Sequence, residues 1–372
     1  MIGLDDLREP LDLAIHSSAG RLWPGAGVEM GELAPSVTSY VRPVRVTGLA
    51  PMYAKVSVLG SSLVSVLRGV HGDAVRVAAA LPVYLAEADC LVAREAAQLR
   101  ALARVGVPVC EVAGQAGGVL FTRAVDGPTL ADLVEVSPDA AGDRLLAVTA
   151  ELSRLPRVAS ALGPVAIPER DIVAIFARKF DRGGAREYLA ATGHGAVLEP
   201  VVAQLVALRG VLYEEPRVLQ YGDLKPEHVF FPHGFAARPV FVDPGVMAAH
   251  PWSDLARLTS RIGLLAMAGR APARVRGVMV DELVAHLHSF GPSDSDGVRD
   301  LVLLWLMDTV NILTTYCTAP EGLPVGRHAV EVRAAAEVVC GFLAEATAEL
   351  PVRQQSRVLF ARVVAALAGA AR

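Results

Sequence analysis

The sequence predicts an α+β protein of two lobes: a small, strand-rich N-terminal lobe over residues 1–124 and a larger helical lobe over residues 125–372. Three observations carry this reading. Runs rich in Val, Thr and Tyr, punctuated by Gly and Pro, dominate the first third of the chain. Past Asp126-Gly-Pro128 the apolar residues recur at the three- and four-residue spacing of helices. At 372 residues the chain also exceeds what one hydrophobic core usually fills.

Taken in order, Val37–Thr47 reads as a strand, Gly48-Leu-Ala-Pro51 as a turn, and Met52–Leu59 as a second strand closing an antiparallel hairpin. Residues 60–80 have no clear assignment. From Leu81 to Val105 the period changes: Leu91, Glu95, Leu99 and Leu102 lie on one face of a helix that Gly106 and Pro108 end. Val107–Val112 and Gly118–Ala124 then read as strands joined by a Gly-rich turn. In the second lobe helices are expected over Leu130–Val134, Arg144–Leu155, Asp171–Ala191 and Val197–Tyr213, and again from Trp252 onward. One strand-rich stretch, Val218–Asp243, interrupts them.

Composition excludes several classes. Hydrophobic residues make up 53% and charged residues 20%, which rules out a disordered chain. A net charge of −4 carries no nucleic-acid signature, and no basic amphipathic helix points to a membrane surface. The most apolar run, Leu301–Met307, is cut off by Asp308 and falls short of the roughly 20 residues that span a bilayer, so it reads as a buried helix. The N-terminus lacks the pattern of a signal peptide. Cys90, Cys110, Cys317 and Cys340 are scattered, which suits reduced thiols in a cytoplasmic protein. Only three of the 35 basic residues are lysines: Lys55, Lys179 and Lys225.

The segment that points to chemistry is Gln220-Tyr-Gly-Asp-Leu-Lys-Pro-Glu-His228, followed by Pro239-Val-Phe-Val-Asp-Pro-Gly245. Asp223 and Asp243 each border a short apolar run, and the chain between them has the length of a hairpin. Such a pair of carboxylates suits phosphoryl transfer, where one orients an attacking hydroxyl and the other holds the metal on the nucleotide phosphates.

These motifs resemble the aminoglycoside phosphotransferase-like branch of the protein kinase superfamily. Tyr221-Gly-Asp-Leu-Lys-Pro-Glu-His228 is similar to its catalytic loop, Asp243-Pro-Gly245 to its metal-binding turn, and Ser253-Asp-Leu-Ala256 to the segment whose Asp braces that loop. The resemblance implies a protein kinase-like fold using ATP and Mg²⁺. Asp223 would be the catalytic base, Asp243 a metal ligand and Asp254 structural. Tyr53-Ala-Lys-Val56 resembles the strand carrying the phosphate-binding lysine, so Lys55 pairs with Glu95, with Glu87 as a rival partner on the same expected helix. Val119–Gly127 resembles the hinge, whose backbone from Thr122 to Ala124 would meet adenine. Lys225 would neutralise the transferring group.

The chain departs from the pattern in three ways. His228 stands where the family has a metal-binding Asn, and an imidazole is a poor ligand for magnesium. That leaves a weak metal site, a phosphate contact or a loss of activity. No Gly-rich loop is present, although Ser36, Thr38 and Ser39 offer hydroxyls to phosphate. Residues 60–80 form an insertion. Elsewhere His286 and His288 are too poorly aligned for zinc. The basic run Arg170, Arg178, Lys179, Arg182 and Arg186 reads as a solvated helix face or a contact for an anionic or peptide acceptor. The expected function is ATP-dependent phosphorylation of a small-molecule hydroxyl (aminoglycoside, sugar or other natural product). The alternatives are a Ser/Thr kinase acting on a ribosomal precursor peptide, which Lys225 favours, and a nucleotide-binding pseudokinase.

Overall fold

The computed structural model describes residues 2–181, 183–213, 215–232, 238–350 and 356–372. The chain divides into two compact units. The first comprises Met1–Val125 with Ala161–Val165 and Ala319–Gly326, and the second comprises Asp126–Ser160, Ala166–Thr318 and Arg327–Arg372. The two returning segments lie beyond the boundary expected after residue 124.

The first unit opens with helix α1 (Leu4–Leu22), which the sequence reading did not anticipate. Its signal is nevertheless present: Leu7, Leu11, Ile15 and Ala19 follow a four-residue period and are all buried. Asp5 and Asp6 favour its N-terminal dipole, and the Asp6 carboxylate accepts the Gly3 N–H at 2.8 Å. Five antiparallel strands follow: β1 (Val28–Met30), β2 (Tyr40–Val46), β3 (Met52–Val56), β4 (Val112–Ala116) and β5 (Val119–Arg123), in the order β1-β2-β3-β5-β4. The expected hairpin is therefore β2–β3. The strand expected over Val107–Val112 starts only at Val112, because Pro108 has no N–H for a ladder. Alternation sorts the sheet's faces. Tyr40, Val44, Met52, Ala54, Val56 and Phe121 pack with Leu7, Leu11 and Ile15 into one core, while Lys55, in register with Val41 and Leu120, points to the opposite face.

Helices α2 (Leu63–Leu67), α3 (Ala74–Ala86) and α4 (Leu91–Arg104) lie between β3 and β4. The single helix expected over Leu81–Val105 is thus two. Glu87 turns extended (ψ 133°), and the Tyr84 hydroxyl accepts the Leu91 N–H at 2.9 Å, which fixes the start of α4.

The second unit begins with α5 (Leu130–Val136), whose Thr129–Asp132 capping box satisfies its first donors. Helices α6 (Ala141–Leu152), the single turn α7 (Ala159–Leu162), α8 (Ile172–Phe180), α9 (Ala185–Ala190) and α10 (Gly195–Leu208) follow. The helix expected over Asp171–Ala191 breaks between α8 and α9 at Gly183-Gly184, where Gly184 takes φ +97°. Two ladders come next: β6 (Val218–Gln220) with β9 (Met247–Ala249), and β7 (Val229–Phe230) with β8 (Val240–Phe241). The remaining helices are α11 (Ser253–Ala268), α12 (Ala273–Phe290), α13 (Ser295–Cys317), α14 (Arg327–Ala334), α15 (Ala336–Ala348) and α16 (Ser356–Ala370). The run Leu301–Met307 is buried in α13, which packs along α11. Among the described residues one segment, Gly195–Leu212, is long and apolar enough to cross a membrane by length and composition.

Candidate active site

In the first unit the Lys55 ammonium donates to both oxygens of Glu95, at 2.9 and 2.8 Å. The Lys55 side chain is 12% exposed and that of Glu95 3%. Lys55 is fixed by the pleat of β3, and Glu95 sits on the buried stripe of α4 between Leu91 and Leu99. Glu87, the rival, is exposed beyond the end of α3.

The Gly31–Ser39 loop joins β1 to β2. Its hydroxyls do not stand as expected. Ser36 Oγ accepts the N–H groups of Thr38 and Ser39 at 3.3 and 3.2 Å, an internal turn. Ser39 is buried, and its hydroxyl has no partner among the described residues. The insertion accounts for the loop's position: the first N–H groups of α2, on Leu63 and Val64, donate to the Thr38 and Val37 carbonyls at 3.0 and 3.1 Å. The hinge expectation also shifts. Thr122 lies inside β5, between β3 and β4, and the Ala124 N–H already donates to the Pro51 carbonyl at 3.1 Å. That donor is spent on the strand's edge.

In the second unit two glycines lock the acid-bearing turns together. Gly222 has φ +86°, and a Cβ there would lie 2.1 Å from the Gly245 carbonyl oxygen. The Gly245 N–H donates to the Tyr221 carbonyl at 3.0 Å. Asp254 accepts the N–H groups of Tyr221 and Gly222 at 2.6 and 2.8 Å, so this buried carboxylate braces the loop. Burial raises its pKa despite those bonds. Asp243 itself takes φ +58°, a left-handed conformation rare for a residue with a side chain.

The structure gathers Asp223, Lys225, His228 and Asp243. Lys225 Nζ donates to Asp223 Oδ2 at 3.0 Å, and His228 Nε2 lies 3.8 Å from Asp243 Oδ2. Burial alone would raise the Asp223 carboxyl, but the Lys225 and Arg170 cations outweigh it and hold it well below the usual carboxylate range. Burial, then the Lys225 ammonium, pushes His228 down to about 4, so its ring is neutral near pH 7.

The structure moves Arg170 from the expected basic run to the acid pair. It belongs to no solvated helix face. It ends a 3₁₀ turn (Pro168–Arg170), and its Nη1 donates to Asp223 Oδ2 at 2.9 Å and to Asp243 Oδ1 at 3.2 Å. Of the rest of the expected basic face, Arg178 and Arg186 are exposed on helices and Lys179 is drawn inward. Lys179 donates to the Asn311 carbonyl and the Thr315 hydroxyl, Arg178 to the Glu169 carbonyl, and Arg186 pairs with Glu199. Arg182 lies outside the described residues.

Asp223, His228 and Asp243 offer ligand atoms within 4.8 Å of one another, a set that suits one divalent ion. The chemistry of the donors agrees: two carboxylates supply hard oxygens, and the buried His228 Nδ1 has no partner among the described residues. His286, by contrast, packs on Phe290, with Nε2 3.3 Å from the Thr149 hydroxyl.

Solved structures show the same fold. A choline kinase from Cryptosporidium parvum Iowa II superposes with a TM-score of 0.52 at 10% identity, over 92% of this chain and 96% of that one. Amicoumacin kinase, solved with AMP-PNP, Ca²⁺ and Ami, gives 0.51 at 10% identity, over 91% and 96%. An aminoglycoside-3′-phosphotransferase of type VIII is 21% identical over 81% of this chain and 98% of its own, with a TM-score of 0.45. The architecture is the two-lobed protein kinase-like fold. Residues 70–279, more than half of the sequence, match the phosphotransferase enzyme family APH, and the chain belongs to that family. No curated protein sequence matches the chain.

Proposed function

We propose that this phosphotransferase moves the γ-phosphoryl group of ATP to a hydroxyl of a small natural product, with Mg²⁺ as the metal. The observation that carries the reading is the pairing of Asp223 and Asp243 at one locus, with Lys225 on the Asp223 carboxylate. Lys55, fixed by Glu95, holds the nucleotide phosphates. Asp243, with His228, would hold the metal, which supplies charge compensation on those phosphates. Asp223 accepts the acceptor's hydroxyl proton in a hydrogen bond and orients its oxygen for in-line attack. Its depressed proton affinity makes it an orienting group rather than a strong base. Lys225 neutralises charge on the transferring group. With Ala124 N–H engaged, the base is read by the backbone beside it.

The test is ADP release with ATP and a panel of hydroxylated small molecules, including aminoglycosides, sugars and choline, with Ser/Thr peptides in parallel. Asp223→Asn should cut turnover by about 10³-fold or more with little change in ATP affinity. Asp243→Asn should instead weaken metal-dependent nucleotide binding. ATP bound without transfer to any acceptor would favour the pseudokinase reading, and transfer to peptides alone the peptide reading.

A further inference from the structure

Arg170 is built into the acid pair. Its Nη1 donates to Asp223 Oδ2 at 2.9 Å, to Asp243 Oδ1 at 3.2 Å and to the Asp243 carbonyl at 3.4 Å, while Nη2 reaches Asp243 Oδ1 at 3.2 Å. The side chain is 11% exposed. Its backbone is pinned from two sides: the Arg170 carbonyl accepts from Arg257 Nη2 at 2.6 Å, and the Ile167 N–H donates to the Val246 carbonyl at 3.0 Å. Gly245 makes room for it, since a Cβ there would lie 2.6 Å from Arg170 Cδ. A guanidinium is a flat, permanent cation whose fork matches two carboxylate oxygens.

Kinases of this superfamily commonly compensate the phosphates with two divalent ions, one of them on the catalytic-loop Asn. Here that position is His228, a nitrogen donor, and its Nε2 lies 3.8 Å from Asp243 Oδ2. We propose that the Arg170 guanidinium takes the place of one divalent cation between Asp223 and Asp243, so that the nucleotide is used with a single metal ion. The inference rests on the phosphotransferase reading above. Charge supports it. Around the two carboxylates stand Arg170, Lys225 and Arg257, the last 3.5 Å from Asp223 Oδ1. One dication on the His228 side meets Asp243 Oδ2 beside the imidazole. A second, between the two acids, would lie against a guanidinium already there, and like charges at such distances repel strongly in a buried site.

The experiment counts Mn²⁺ by the electron paramagnetic resonance of the free ion, at saturating AMP-PNP, for wild type and Arg170→Ala. Wild type should bind one Mn²⁺ per bound AMP-PNP, and Arg170→Ala should bind a second at least about tenfold more tightly than wild type does. Arg170→Gln, which keeps polar contacts without the charge, should behave like Arg170→Ala and serves if the alanine variant fails to fold. Without nucleotide, Mn²⁺ should raise the melting temperature of the variants by more than it raises that of wild type. Two Mn²⁺ per nucleotide in wild type, or one in every variant, would overturn the inference while leaving the phosphotransferase reading intact. Wild type that binds no AMP-PNP would overturn both.

Discussion

Replacing Lys55 by Met tests the first unit's ion pair in isolation. The Glu95 carboxylate is 3% exposed and accepts two short hydrogen bonds from the Lys55 ammonium. Deleting that ammonium removes the cation that compensates a buried carboxylate, and breaking a buried pair this way costs about 3–5 kcal/mol. Lys55→Met/Glu95→Leu removes both charges at similar volume and should fall within about 1 kcal/mol of wild type, because the desolvation of both ions is also relieved. Urea unfolding, with m checked for constancy, measures both variants. A single variant costing under about 1 kcal/mol, or a double variant as damaged as the sum of its parts, would refute the reasoning. Both variants should lose ATP affinity, whatever their stability.

Other outcomes follow from the second unit. His228→Asn restores an oxygen donor beside Asp243 and should keep or raise magnesium-dependent turnover while reducing the advantage of manganese, read from ADP release with each metal; loss of activity in magnesium would show that the imidazole has a role of its own. His286 is pushed down to about 4 by burial, so between pH 6.5 and 4 the unfolded state binds the extra proton and stability falls as pH falls. From pH 6.5 to 5 that amounts to about 2 kcal/mol, and His286→Gln should remove it from the pH profile of urea unfolding; an unchanged profile would show that His286 is not the group that titrates. Gly222→Ala forces a Cβ to 2.1 Å from the Gly245 carbonyl at φ +86° and should cost about 2 kcal/mol or more along with most of the turnover; a stable, active variant would show that the two turns move apart freely.

What could be read in the sequence had a period or a contiguous motif. Lys55 and Glu95 each obey a local rule, strand alternation for one and helical spacing for the other, so their meeting follows once both elements form. Asp223, His228 and Asp243 lie on one short stretch that folds back on itself. Arg170 obeys no such rule. It is 53 residues from Asp223, in a 3₁₀ turn, and only the packing of that turn against Val246 and Arg257 aims it at the acids. The break at residues 87–90 was hidden because α3 and α4 continue one apolar pattern across it, and what divides them is a contact from the Tyr84 hydroxyl. Ser39 illustrates a different limit: a hydroxyl in a loop looks available until the core beside it is known.

The three lysines share one structural circumstance. Lys55 is held by Glu95, Lys225 by Asp223, and Lys179 by the Asn311 carbonyl and the Thr315 hydroxyl. None is exposed, so the cationic surface of this protein is made of guanidinium groups. Lysine acetylation, ubiquitin attachment and coupling by activated esters therefore find no freely accessible side-chain amine. A lysine that does react with an amine-directed reagent reports on an opened interior contact, and two of the three possible adducts fall on groups assigned to the phosphates and the transferring group. Labelling stoichiometry in this chain is in effect a readout of local opening around its chemistry.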